Sequence, residues 1–195
     1  MFYEVKIKSH IRVPPSAFSE TAKESILKRL KEKYENHISP ELGAVIAVSG
    51  IDKVGEGVII AGDGAAYYDT SYKLFIFKPE MQEIILGKII DITEYGAFIE
   101  MGPLDGMIHV SQTMDDFVNV NKQGTLSGKE SKKVLKKGDI CRSRIIAVSY
   151  KDITNPKIGL TMRQHMLGSL NWIEDELKKG KKKKWQKKHV KNVKS

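Results

Sequence analysis

The hydrophobic pattern of this chain changes at Pro79 and Glu80, and that break constrains its fold more than any other feature. From Met81 onward the apolar residues fall into short alternating runs, "EIILGKIIDIT", "GAFIEMG", "DGMIHVS", "DICRSRIIAVS" and "KIGLTMR", with glycines at their corners. Alternation with a period of two means strands with one buried face. Five such strands predict a small Greek-key barrel of the OB type over 81–177. The longer insertion, "DDFVNVNKQGTLSGKESKKVLKKG", is polar and is expected to be irregular and mobile. "GSLNWIEDELKK" reads as a terminal helix with Leu170, Ile173 and Leu177 on one face.

Before the break the order of elements is different. "FYEVKIK" alternates as a strand, and Pro14 and Pro15 interrupt it. Phe18, Ala22, Ile26, Leu30 and Tyr34 then recur at helical spacing and form one apolar stripe. "GAVIAVSGI" and "GVIIAG" read as two strands joined across the glycine-bearing turn "DKVGEG". "GDGAAYYDTSYKLFIFKP" opens with a tight turn at Gly62–Gly64 and continues as a long strand. This β-α-β-β-β order predicts an α+β domain over 1–80, a mainly antiparallel sheet covered by one helix.

Charge matters here only through its location. The net charge of +9 on 195 residues is carried by residues 178–195, which hold ten Lys and no acid. The remaining 23 basic and 24 acidic residues nearly cancel. A blocky basic tail is expected to stay flexible and to meet polyanions without sequence preference, and Trp185 within it could stack on a base. With 41% hydrophobic and 29% charged residues, the rest has the composition of a water-soluble globular protein. No apolar run approaches the roughly 20 residues that span a bilayer, so no membrane partner is expected. The single Cys141 precludes an internal disulfide, which suits a reducing cytoplasm.

The chemistry centres on "EYGAFIEMGPLDGMIHVSQ", Glu94 to Gln112. Its glycines are flanked by strands, with no helix start to converge N–H groups on a phosphate. "GTLSGKES" (Gly124 to Ser131) has three residues between its glycines where a nucleotide loop needs four, and Glu130 where a magnesium-binding hydroxyl belongs. His109 has Asp105, Ser111, Asp115 and Asp116 nearby in sequence, but no triad spacing. The five histidines lack metal-ligand spacing with one another or with Cys141, so no cofactor and no metal are expected. Asp115 and Asp116 are adjacent carboxylates that suit loop capping better than an ion. A surface on which bases stack fits these residues best. A bulge at Gly96 would bring Tyr95 and Phe98 to the same side, with His109 on the neighbouring strand. A core position for both rings is the other reading.

These residues carry a resemblance. "GKIIDITEYGAFIEMGPLDGMIHVSQ" resembles the RNA-binding OB domain repeated in the ribosomal S-one protein, in which the equivalents of Tyr95, Phe98 and His109 face RNA. That family adds an Asp and an Arg from the last two strands, and here Ser149 and Lys157 stand near those positions. "RVPP" (Arg12 to Pro15), "GDGAAYY" (Gly62 to Tyr68), "FKPEMQE" (Phe77 to Glu83), "GPLDGMIHVSQTMDD" (Gly102 to Asp116) and "KIGLTMRQ" (Lys157 to Gln164) extend the resemblance over about residues 1 to 175. Together they are similar to the archaeal RNA polymerase E-prime subunits, counterparts of the seventh-largest subunit of eukaryotic RNA polymerase II.

The resemblance implies a non-catalytic stalk subunit. Its first domain would be similar to a truncated ribonucleoprotein fold and would dock on the polymerase core. Its second domain would bind emerging single-stranded RNA, and a second, small helical stalk protein would complete a heterodimer. The expected RNA contacts are Lys88, Tyr95, Phe98, His109 and Lys157. The turns "KVGEG" and "AGDGAA", with Gly55, Gly57, Gly62, Asp63 and Gly64, are the expected core-docking tip, because short glycine turns allow close backbone approach. A translation or RNA-decay factor with one OB domain is the competing assignment, and the first 80 residues argue against it.

Overall fold

The computed structural model describes residues 1–121 and 124–178. They divide into two compact units, Met1–Pro79 with Tyr150–Asn155, and Glu80–Ser149 with the residues from Pro156 onward. The lysine-rich residues 179–195, Trp185 among them, lie outside the described residues.

In the first unit β1 (Phe2–Val13) precedes a short 3-10 turn at Pro15–Ala17 and helix α1 (Ala22–Tyr34). Strands β2 (Ile38–Ser39), β3 (Gly43–Ile59) and β4 (Ala66–Phe77) follow, and the antiparallel sheet has the order β1-β4-β3-β2. The helix starts where its sequence carries a capping box. The Thr21 hydroxyl accepts the Glu24 N–H, and the Glu24 carboxylate reaches back to the Thr21 N–H and hydroxyl. Phe18 therefore falls outside the helical stripe predicted for it and is exposed, whereas Ile26 and Leu30 are fully buried against the sheet residues Val5, Ile7, Ile11, Val45 and Leu74. Burying two such side chains contributes about 1.5–3 kcal/mol each. Tyr72 lies in the same core at 0% exposure, its hydroxyl hydrogen-bonded to those of Tyr34 (2.8 Å) and Ser9 (3.1 Å). Burial pushes its phenol up to about 12.

The predicted turn "DKVGEG" is absent. Gly55 and Gly57 lie inside one continuous 17-residue strand, β3, whose pairing to β4 shifts register four times along its length. Such bulges let a long strand follow the twist of its partner without breaking. A Cβ at Gly57 would stand 2.7 Å from the Tyr68 ring, so glycine here permits close strand contact and does not reverse the chain. The reversal comes at 60–65, where Gly62 (φ +94°) and Gly64 (φ +68°) take backbone conformations that favour glycine.

In the second unit β5 (Ile84–Thr93), β6 (Gly96–Glu100) and β7 (Asp105–His109) form a meander. A short helix α2 (Val110–Thr113) leads to β8 (Val118–Asn121), β9 (Thr125–Gly128) and β10 (Val134–Lys136). Then come β11 (Ile140–Ser149), β12 (Lys157–Thr161), β13 (Gly168–Ser169) and a helix, α3, at 170–178. Strand β12 pairs in parallel with β7 and antiparallel with β11, and β11 pairs with β5. The five predicted strands thereby close into a barrel, which removes the unpaired edges of an open sheet. Ile89, Ala97, Ile99, Ile108, Cys141 and Ile145 fill it at 0% exposure.

Two expectations for this unit need correction. The insertion expected to be irregular holds the antiparallel sheet β10-β9-β8, pinned by Leu126 and Leu135 at 0% exposure. Two buried leucines in a polar segment are too sparse a signal to read locally. In α3, Ile173 is buried but Leu177 is 48% exposed, so the predicted apolar face does not run the length of the helix.

Cys141 gives this unit a reporter. Burial, assisted by Asp139, pushes its thiol up to about 12. A thiol pKa raised by folding stabilises the native state below the unfolded value near 8.5, and that contribution is lost as pH climbs toward 12. At pH 8 the native thiol should not react with an aromatic disulfide reagent, and reaction should track barrel unfolding by denaturant. Rapid labelling of the native protein would contradict the buried placement.

Candidate nucleic-acid interface

The side chains of interest occupy the outward positions of the barrel strands. On β6, Ala97 and Ile99 point into the core, so Phe98 and Glu100 point out. On β7, Gly106 and Ile108 are buried while Met107 and His109 alternate outward. The β6–β7 register sets Gly96 opposite His109, Phe98 opposite Met107 and Glu100 opposite Asp105. Phe98 and His109 are thus diagonal neighbours on one face, a separation of roughly 7–8 Å between Cα atoms.

Tyr95 lies in the adjoining β5–β6 turn. Its carbonyl accepts the Val110 N–H at 2.9 Å, which ties the turn to the end of β7, and its side chain is 70% exposed. The expected bulge at Gly96 is not there. Gly96 pairs in register with Thr93 and His109, and the irregularity lies on β5 between Ile89 and Asp91. Gly96 serves another purpose, since at φ +152° a Cβ would stand 2.1 Å from the Ile108 carbonyl oxygen. Only glycine lets the turn close against β7.

His109 is held by its neighbour. Its Nδ1 accepts the Ser111 N–H at 3.2 Å and lies 2.8 Å from the Ser111 hydroxyl. An accepting Nδ1 leaves the proton of the neutral ring on Nε2, where it can be donated outward. The ring's partner is a serine and not an orienting carboxylate, so the geometry is that of an oriented donor, not of a general base.

The two lysines lie elsewhere. Lys88 pairs opposite Glu100, and Lys157 precedes Ile158, whose partner is Gly106, which sets it beside Asp105. Both occupy the far end of the face, four residues or about 13 Å along the strands from His109. Glu100 and Asp105 interleave with them, so this end is not a concentrated basic patch. Ser149 and Lys157 are cross-strand partners. The structure therefore sets Phe98 and His109 on one face, ties the backbone of the exposed Tyr95 to the end of β7, and leaves Lys88 and Lys157 apart from them.

One contributor escaped the sequence. Met107 stands between Phe98 on β6 and Gly159 on β12, and Ala147 on β11 follows in the same row. The row continues the apolar surface past the aromatic ring. A methionine in an alternating strand reads as core, and only the parity with His109, two residues on, marks it as outward.

At the other unit, the tip carries a different surface. Arg12 of "RVPP" grips Asp63 of "GDGAAYY" through Nε at 2.9 Å and Nη2 at 2.7 Å, and Tyr67 donates its hydroxyl to the same carboxylate at 2.6 Å. The Arg12 bond first, then the Tyr67 bond, hold the Asp63 carboxyl well below the usual carboxylate range. Beside this clamp Val58, Ile59 and Ile60 are 61%, 66% and 51% exposed. Among the described residues no cluster of three His, Cys, Asp or Glu side chains could hold a metal ion, and no helix is long and apolar enough to cross a membrane.

Comparison with known proteins follows the division of the chain. Residues 8–64 match the family described as "SHS2 domain found in N terminus of Rpb7p/Rpc25p/MJ0397", and residues 78–152 match "S1 RNA binding domain". DNA-directed RNA polymerase subunit Rpo7 of Saccharolobus solfataricus is 38% identical over 89% of this chain and 97% of its own length. The Rpo7 subunit of Sulfolobus acidocaldarius is 36% identical over 93% of this chain and 100% of its own. DNA-directed RNA polymerase III subunit RPC8 of Saccharomyces cerevisiae is 31% identical over 58% of this chain and 54% of its own.

Proposed function

This chain belongs to the Rpo7 family of DNA-directed RNA polymerase subunits, and from that premise we propose that its barrel holds single-stranded RNA while the tip of its β3–β4 hairpin docks on the polymerase core. It is a non-catalytic subunit of an enzyme complex. The observation that supports the RNA reading is the outward face shared by Phe98 and His109, with the exposed ring of Tyr95 in the adjoining turn. Two rings offer stacking area to any base, and the oriented Nε2–H of His109 offers a donor to a phosphate or a base edge. Lys88 and Lys157 would meet the RNA backbone farther along the strands. The transcript leaving the enzyme is the RNA that a stalk subunit would meet.

The docking assignment moves with the fold. Gly55 and Gly57 serve the β3–β4 contact, and Gly62, Asp63 and Gly64 shape the turn that presents Val58, Ile59 and Ile60. Three adjacent exposed aliphatic residues at the end of β3, beside the clamped turn, suit burial against another protein. Ile59→Asp should abolish co-purification with the large polymerase subunits and leave the melting temperature of the free chain unchanged. Retention at the wild-type level would remove the tip from the interface.

The small helical stalk protein is the second partner, in a heterodimer. Ile84 and Leu86 on β5 and Ile140 on the adjacent β11, all about half exposed or more, interleave with Arg144, Arg142 and Lys88 across the two strands, a mixed apolar and basic surface that suits an amphipathic helix with acidic flanks. The complex would reside in the cytoplasm. Purification of the chain with its natural partners, followed by mass spectrometry, tests the assembly. Recovery without large polymerase subunits would count against it.

A further inference from the structure

Beside His109 the barrel opens into a cleft of about 570 Å³ between α2 and the β8–β10 sheet, with Val110 and Met114 among its lining residues. Phe117 stands in its wall, 79% exposed, the highest exposure of any large apolar side chain among the described residues. A ring left so open beside a cleft presents a flat face on which a ligand can stack. Its position is not loose. Asp116 accepts hydrogen bonds from the N–H groups of Phe117 (2.6 Å), Glu130 (2.9 Å) and Ser131 (2.8 Å) and from the Ser131 hydroxyl (2.9 Å), which fixes the ring's backbone to the inserted sheet.

The cleft is continuous with the stacking face. Ser111, which orients His109, lines it, and the Ser111 carbonyl accepts from Arg163 Nη1 at 3.5 Å. Arg163 is paired to Asp115 at the rim.

We propose that this cleft takes a nucleobase of the same RNA strand that crosses Tyr95, Phe98 and His109, with the base stacked on Phe117. The proposal rests on the RNA reading of the barrel face given above. Charge decides the orientation of the ligand. Asp115, Asp116 and Glu130 outnumber Arg163 and oppose entry of a phosphate, whereas a neutral base can present its N–H groups to carboxylates. The sugar–phosphate chain would then remain at the rim, near His109 and Arg163. Base–aromatic stacking accepts any base, so the cleft adds affinity and strand direction more than sequence preference.

The test compares three full-length proteins, wild type, Phe117→Ala and Tyr95→Ala with Phe98→Ala, for binding to a labelled single-stranded RNA of about 12 nucleotides, within the span of one OB domain. Phe117→Ala should weaken binding by between about 5-fold and 150-fold, the range for one stacked base, with an unchanged melting temperature. Photocrosslinking of the same RNA carrying 4-thiouridine should label a peptide that contains Phe117. If Phe117→Ala binds normally while the double variant is weakened, the cleft proposal fails and the barrel face stands. If neither variant loses affinity, both fail. If Phe117→Ala binds RNA normally but no longer co-purifies with polymerase subunits, the cleft belongs to a protein partner and the proposal is overturned.

Discussion

Alanine at both Tyr95 and Phe98 should weaken binding of single-stranded RNA by about 2–6 kcal/mol, because each ring can stack one base at roughly 1–3 kcal/mol. In affinity this is a loss of about 30-fold or more. Tyr95 is 70% exposed, and Phe98 faces outward while Ala97 and Ile99 on either side of it fill the core. The substitutions therefore remove stacking area and leave the barrel interior intact. Docking on the polymerase should persist, since the proposed tip is on the other unit. A filter or gel assay at fixed salt measures the affinity, and a thermal melt controls for folding. Normal RNA binding by the double variant would remove the platform from the surface that meets RNA.

Gly96→Ala should act through the backbone. At φ +152° an alanine is strained by about 1–3 kcal/mol. Its Cβ would also lie 2.1 Å from a backbone oxygen of β7, which cannot swing aside as a flexible side chain could. Forcing the strands apart adds about 1–3 kcal/mol more. Against a typical stability of about 5–15 kcal/mol, the barrel should unfold at distinctly lower denaturant. The buried Cys141 thiol reads this out directly, since its labelling midpoint should fall in the variant. The turn bearing Tyr95 would shift as well, because its carbonyl is bonded to the Val110 N–H next to His109. An unchanged labelling midpoint would mean that the backbone here accommodates a Cβ.

Likeness to the Rpo7 subunits weighs against the competing assignment. A translation or RNA-decay factor would share the OB barrel, but the polymerase relatives match across nearly the full length of this chain, first unit included. The motifs that carried the resemblance also explain each other physically. "RVPP" and "GDGAAYY" are far apart in sequence, yet Arg12 of the first clamps Asp63 and, through it, Tyr67 of the second.

What the sequence by itself determined was local and periodic. Alternation marked the five barrel strands, and the spacing of Ile26 and Leu30 marked the buried stripe of α1, although the stripe was begun too early, at Phe18, ahead of the Thr21–Glu24 box that starts the helix. Tyr95, Phe98 and His109 stood out because they lie within 15 residues of one another in a glycine-cornered segment, but the shared face of Phe98 and His109 is set by the β6–β7 register. Tertiary structure decided whatever depends on pairing between distant segments. Gly55 and Gly57 look like a turn until β4 is alongside, when the register keeps β3 extended through both. The polar insertion becomes a sheet only when Leu126 and Leu135 are buried and Asp116 collects its four donors. Gly159 and Ala147 join the row of Phe98 and Met107 only because β12 closes beside β7. A strand's period is a property of neighbouring residues, whereas its register and the direction of its outward face are set by partners dozens of residues away.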